Sequence, residues 1–131
     1  MSIRVEIVTP QACPFSGEAT EVRAPGFLGE FGVLPEHTPF LSVVRAGVVS
    51  IDTPEGGTVR FVVGRGFAEA GPDHLTILAE FCELASEVDA AAARTLLAES
   101  EAALASVDPT SGAFRTAERN VDLARARLAA S

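Results

Sequence analysis

The chain has 131 residues, 47% of them hydrophobic, and a formal charge of −8. That length suits one ordinary domain, or a small domain with an appendage, and the apolar fraction suffices for a core. The acidic balance excludes nucleic acid as the main partner, because phosphate binding needs a basic surface. No run of about 18 apolar residues is present to insert into a bilayer.

At the N-terminus, Met1-Ser2-Ile3-Arg4-Val5-Glu6 lacks the basic-then-apolar layout of a secretory signal. Ile3, Val5 and Ile7 alternate with Arg4 and Glu6, which predicts a half-buried strand. Two cysteines, Cys13 and Cys82, are too few for a disulfide scaffold and are expected as reduced thiols of a cytosolic protein. Further β-like runs lie near Ala19–Ala24, Phe31–Leu34, Phe40–Val44, Val48–Asp52, Thr58–Val63, Gly66–Ala70 and Leu75–Ala79. Turn signals such as Pro54-Glu55-Gly56-Gly57 and Gly71-Pro72-Asp73 separate them. Short strands at this spacing predict a β-sandwich or flattened barrel, and the absence of βαβ alternation argues against a Rossmann-like sheet.

Between these runs, Pro25–Pro39 holds three prolines, three glycines, two acids and a histidine. Proline fixes φ and glycine permits positive φ, so one irregular loop path is expected. Phe27, Leu28, Phe31, Val33 and Leu34 either form an exposed apolar cluster rimmed by Glu30, Glu36 and His37, as a protein interface would, or fold back into the core.

From Ser86 the composition changes to Ala, Leu, Glu and Arg, which is helix chemistry. Ser86-Glu87-Val88-Asp89 predicts a helix start with a capping box, and the helix should run to about Ser106. Val88, Ala93, Leu97 and Leu104 lie on or near its apolar face. Asp108–Gly112 breaks it, and a second helix begins near Ala113 with Phe114, Ala117, Val121, Ala124 and Leu128 on one stripe. The short connection predicts an antiparallel hairpin. Its stripes are thin and Ala-rich, so it should be weakly held and able to detach. From Ala113 onward the charge is +2, which suits docking on an acidic surface. The expected organisation is a β-sandwich over 1–85 and a helical hairpin over 86–131.

Residues for catalysis are sparse. His37 and His74 are far apart and neither has a ligand at metal-site spacing, so no metal site is expected. No nucleophile elbow, P-loop or Cys-x-x-Cys occurs, and Gly64-Arg65-Gly66 fits a strand bend better than a phosphate cradle. Glu30 or Glu36 with His37 would supply an acid and an imidazole but no second base or nucleophile. No catalytic residue is therefore assigned, and the chain is expected to be a non-enzyme on its own.

Val22-x-x-Pro25-Gly26-x-x-Gly29-Glu30-x-Gly32-Val33-Leu34-Pro35-x-His37-x-Pro39 resembles the signature loop of the epsilon subunit of F-type ATP synthases. The resemblance extends through Gly47-Val48-Val49-x-Ile51, Phe61–Glu69 and Leu75–Glu80 in order. It implies a ten-stranded β-sandwich followed by a two-helix hairpin, in the central rotor stalk at the cytoplasmic face of the inner (plasma) membrane. The implied partners are the gamma subunit, the c-ring, and the alpha/beta catalytic hexamer through the C-terminal helices, which in this family can inhibit ATP hydrolysis. The residues matching the c-ring contact loop are Gly29, Glu30, Phe31 and His37. Certain members bind ATP at the hairpin, and Glu83, Asp89 and Arg127 match their pattern by position. The arginine that pattern expects is Ala92 here, with Arg94 about 200° further round the helix. No cofactor is therefore required, and regulatory ATP is not expected. Arg65 stands where the family usually has glycine. The alternative reading is a free-standing β-sandwich ligand-binding module with a dimerising helix hairpin.

Overall fold

The computed structural model describes all of residues 1–131. Ten strands precede the helices: β1 (Ile3–Val8), β2 (Phe15–Ala19), β3 (Glu21–Gly26), β4 (Gly29–Val33), β5 (Phe40–Val44), β6 (Gly47–Asp52), β7 (Thr58–Val63), β8 (Gly66–Ala70), β9 (His74–Ala79) and β10 (Cys82–Leu84). They form one curled hydrogen-bonded path, β10-β7-β6-β3-β5-β8-β9-β1-β2, with β4 added to β3. Only β1 and β9 pair in parallel. The path bends between β3 and β5, which pair at Gly26–Val44 alone.

Side-chain alternation closes this sheet around one core. Ile3, Val5 and Ile7 of β1, Val49 and Ile51 of β6, and Leu75 and Ile77 of β9 are fully buried in the same cluster. Phe15 meets the buried Phe61 edge-on at 5.9 Å between ring centroids. In β7 the alternation fails: Phe61, Val62 and Val63 are all buried. Phe61 and Val63 face the sandwich core, whereas Val62 joins Ala126 and Ala130 in a second cluster. Burial on both faces produces that continuous apolar run.

Two strands escaped the sequence reading. β2, Phe-Ser-Gly-Glu-Ala, has little β propensity and is held by pairing with β1 at the sheet edge. β10 is three residues long and is fixed by pairing with β7.

The first helix starts later than expected. Ala85–Glu87 form a 3₁₀ turn, Val88 is extended, and α1 runs Ala90–Ser106. The Ser86 capping box does not form; Asp89 is the N-cap and accepts a hydrogen bond from the Ala92 N–H at 3.0 Å. Val88 therefore leaves the helix stripe and packs at the seam with the sheet. α2 runs Gly112–Ala130, capped by Ser111, whose hydroxyl accepts from the Phe114 N–H. Ala117, Val121 and Ala124 are buried as expected, but so are Ala126 and Ala130. α2 thus buries two stripes, one on α1 and one on β6 and β7.

Candidate functional site

The signature segment is more regular than its composition suggests. β3 and β4 form a hairpin in register from Val22–Val33 to Gly26–Gly29, so much of it is strand. The chain reverses at Phe27-Leu28, and Gly29 takes φ 127°, a conformation that a side chain would strain. Phe27 and Leu28 project from the tip, Leu28 at 96% exposure. The Arg45 guanidinium lies over the Phe27 ring, 5.9 Å from its centroid. Leu34 is also exposed, Val33 is in the core, and Phe31 is half-buried against it. The apolar residues therefore divide between the exposed surface and the core.

Phe31 and His37 are brought together through Phe40. Its ring meets Phe31 edge-on at 5.4 Å and His37 at 5.0 Å. The His37 Nδ1 lies 2.7 Å from the Thr38 carbonyl oxygen, which assigns the proton to that nitrogen. Gly29 and Glu30 sit instead at the hairpin tip, where the Glu30 carboxylate is exposed. Neither Glu30 nor Glu36 hydrogen-bonds His37, so no acid–imidazole pair forms. Glu36 adopts φ 67° and its N–H donates to the Pro72 carbonyl at 2.6 Å, which fastens the segment to the β8–β9 turn.

A second surface was not singled out from the sequence. Val43 of β5, Phe67 of β8 and Leu78 of β9 lie in cross-strand register on the outer face, and Leu78 continues to Val8 of β1. Leu41 lies two residues from Val43 on the same face. Phe67 and Leu78 are 53% and 52% exposed. The signal was present: Leu41-Ser42-Val43-Val44 and Ile77-Leu78-Ala79 carry apolar residues on both faces of their strands. A contiguous exposed apolar row of this kind is a candidate interaction surface.

The third region is the seam between sandwich and hairpin. The Arg127 Nε donates to the Glu83 carboxylate at 2.6 Å, with both side chains 24% exposed. The Arg127 guanidinium also lies 5.1 Å from the Phe81 ring centroid. Glu83 and Arg127 are thus joined directly, whereas the Asp89 carboxylate is occupied in capping α1. Arg65 reaches across to Glu118 and Asp122 of α2 at 3.8 and 3.7 Å. Arg60 donates to the Ala130 carbonyl at 3.3 Å. Burial, and then the Glu83 charge, push the Cys82 thiol up to about 11, so it stays protonated near neutral pH.

Residues 2–85 match the family described as ATP synthase, Delta/Epsilon chain, beta-sandwich domain. The ATP synthase epsilon chain of Moorella thermoacetica is 40% identical over 130 residues, covering 99% of this chain and 96% of that one. This chain belongs to the ATP synthase epsilon chain family. The epsilon chain of Geotalea daltonii is 36% identical over 126 residues, covering 96% of this chain and 91% of its own. The fold agrees with a chain in the Euglena gracilis mitochondrial ATP synthase, OSCP/F1/c-ring, with a TM-score of 0.87 at 18% identity. That likeness covers 98% of this chain and 81% of the other. A chain of the Tetrahymena thermophila mitochondrial ATP synthase central stalk/c-ring aligns with a TM-score of 0.64 at 14% identity, covering 98% and 97%. The epsilon-chain reading is supported, and the free-standing ligand-binding module is not.

Proposed function

We propose that this epsilon-family subunit works in the central stalk of ATP synthase, with the sandwich as docking body and the hairpin as detachable regulator. The exposed row Val43–Phe67–Leu78 carries this reading, because a stable sandwich has no structural need for it. The row is the surface we assign to the gamma subunit. The Phe27-Leu28 tip, with Gly29 and Glu30 beside it, is assigned to the c-ring. There a carboxylate such as Glu30 sets register more than affinity. Phe40 holds Phe31 and His37 as a support behind that contact rather than as a part of it.

Mechanically, the subunit transmits torque and makes or breaks no bond. Its site in the cell is the cytoplasmic face of the membrane that holds the c-ring. The hairpin regulates by leaving the sandwich and reaching the alpha/beta head, where its helices hinder ATP hydrolysis. Undocking breaks Arg127–Glu83 and Arg65–Glu118/Asp122, and of the helical arginines it frees Arg127 for an acidic surface. With Glu83 and Arg127 bound to each other, the seam acts as a clamp and requires no nucleotide.

The test uses the complete ATP synthase carrying Phe67→Asp in this subunit. The isolated variant should remain folded, because Phe67 faces out, and it should no longer co-purify with the other stalk subunits. Retention at the wild-type level would contradict the docking assignment. In the complex with Phe67 intact, deletion of residues 87–131 should raise ATP hydrolysis while assembly persists. Unchanged hydrolysis would contradict the regulatory role.

A further inference from the structure

His74 opens β9 on the outer face of the sandwich and is engaged on both ring nitrogens. Nε2 lies 3.1 Å from the Glu69 carboxylate of β8, and Nδ1 lies 3.2 Å from the Asp73 carboxylate of the β8–β9 turn. An ionised carboxylate only accepts hydrogen bonds, so both nitrogens must donate. Neutral imidazole has one N–H and can serve only one of the two acids. The full arrangement therefore exists only in the imidazolium form.

The ring is also placed by packing. It lies so close over Gly71 that a Cβ there would fall 2.6 Å from the His74 Cε1, and the Gly71 N–H donates to the His74 carbonyl at 2.9 Å. The same turn contains Pro72, whose carbonyl holds the Glu36 N–H. Glu36, at φ 67°, is the residue most in need of outside support in that segment. The β8–β9 turn is thus the base on which the Glu36–His37 stretch rests.

Other charged groups surround the cluster. Arg4 of β1 is the cross-strand partner of His74, and its guanidinium is directed to the Ser16 hydroxyl of β2 at 2.6 Å. Glu6 of β1 lies opposite Thr76, two residue pairs further along β9 and on the same face. The exposed Glu36 carboxylate makes no ion pair. Arg4 has the sign that opposes the imidazolium, whereas the contacting acids Asp73 and Glu69 favour it.

We propose that His74 is a protonation-dependent brace, tying Glu69 to Asp73 as the imidazolium and so fixing the turn that holds the Glu36–His37 segment. The bonds to Asp73 and then Glu69 raise the His74 pKa above its usual value, in keeping with that geometry. A raised folded-state pKa gives stabilisation that is complete below the unfolded value of 6.5 and is lost as pH rises through the folded value. The brace thus loosens on alkalinisation. Its bearing on rotor contact rests on the stalk reading above, but the brace itself is a property of the isolated chain.

The test is therefore made on the full isolated chain. An NMR titration of the ring should place the His74 midpoint above 6.5, and a midpoint at or below that value would overturn the brace. The Glu36 amide protection factor should fall by about two- to tenfold across the same titration, the range that two exposed ion pairs support. In His74→Gln it should be low and independent of pH. Equal pH dependence in the variant and the wild type would overturn the proposal. Because His74→Gln removes only surface contacts, its strand-core amides should stay protected; loss of that protection would assign His74 a fold-wide role and likewise overturn the local brace. Failure of the stalk reading would alter none of these values.

Discussion

The sandwich closes ten strands around seventeen buried residues, many of them Ile, Leu and Val, whereas the hairpin meets it through Val62, Ala126 and Ala130. The first region is held by large branched side chains from every part of one curled sheet. The second is held mainly by alanines, by the partly buried Val48, Val88 and Leu123 around them, and by a few arginine contacts at its edge. Alanine removes little surface from water, so the apolar seam contributes on the order of a few kcal/mol at about 25 cal/mol per Å². The Arg127–Glu83 pair then becomes a large share of what keeps α2 in place. One chain thus contains a body that must remain folded and an appendage whose attachment one residue can change.

The largest expected effect comes from damaging the body. Ile77→Ala opens a cavity in the sandwich and should cost about 2–5 kcal/mol, lowering the urea midpoint of strands and helices together. A variant whose strands kept their midpoint would remove the core from the account. Next comes Ala126→Asp, which sets a carboxylate against Val62 at a cost of about 2–4 kcal/mol if the helix stays docked. Undocking relieves that cost, so chemical-shift changes should concentrate in α1, α2, Val48 and Val62. Melting of the whole sheet would show that the two regions are one unit.

Arg127→Ala should have a smaller effect, about 1–2 kcal/mol, because the pair is short and charge-assisted but a quarter exposed. Faster amide exchange should be confined to the helices and Ala85–Val88. The smallest effect belongs to the Arg23–Asp52 pair on the sheet surface. The Arg23 bonds, then that from Thr58, hold the Asp52 carboxyl below its usual 3.8. Its stabilisation is present above 3.8 and is lost as pH falls through the lower folded value. Asp52→Asn should therefore flatten the acid end of the stability curve and leave the seam untouched, as paired acid titrations would show.

Sequence periodicity revealed the body well and the attachment poorly. Alternation at Ile3, Val5 and Ile7 is a direct consequence of one buried face, so β1 was legible. β2 and β10 were not, because pairing with β1 and β7 rather than composition makes them strands. In α2 the stripe on α1 contains Val121 and could be seen, while Ala126 and Ala130 look like any exposed alanine. The clue to the seam lay in the sheet, where Phe61-Val62-Val63 breaks its alternation to meet α2. Gly29, Glu30, Phe31 and His37 were singled out as one site, but only Phe31 and His37 converge, through Phe40. Asp89 was grouped with Glu83 and Arg127, and its carboxylate serves the α1 cap instead.

The central claim is that the hairpin can leave a sandwich that stays folded. Native-state hydrogen exchange in low urea tests it directly, on wild type and Arg127→Ala side by side. The account predicts that α1 and α2 amides open together at a lower free energy than β1, β6 and β9, and that the substitution lowers only the helical value. Helix and strand amides merging into one isotherm, shifted equally by the substitution, would contradict it.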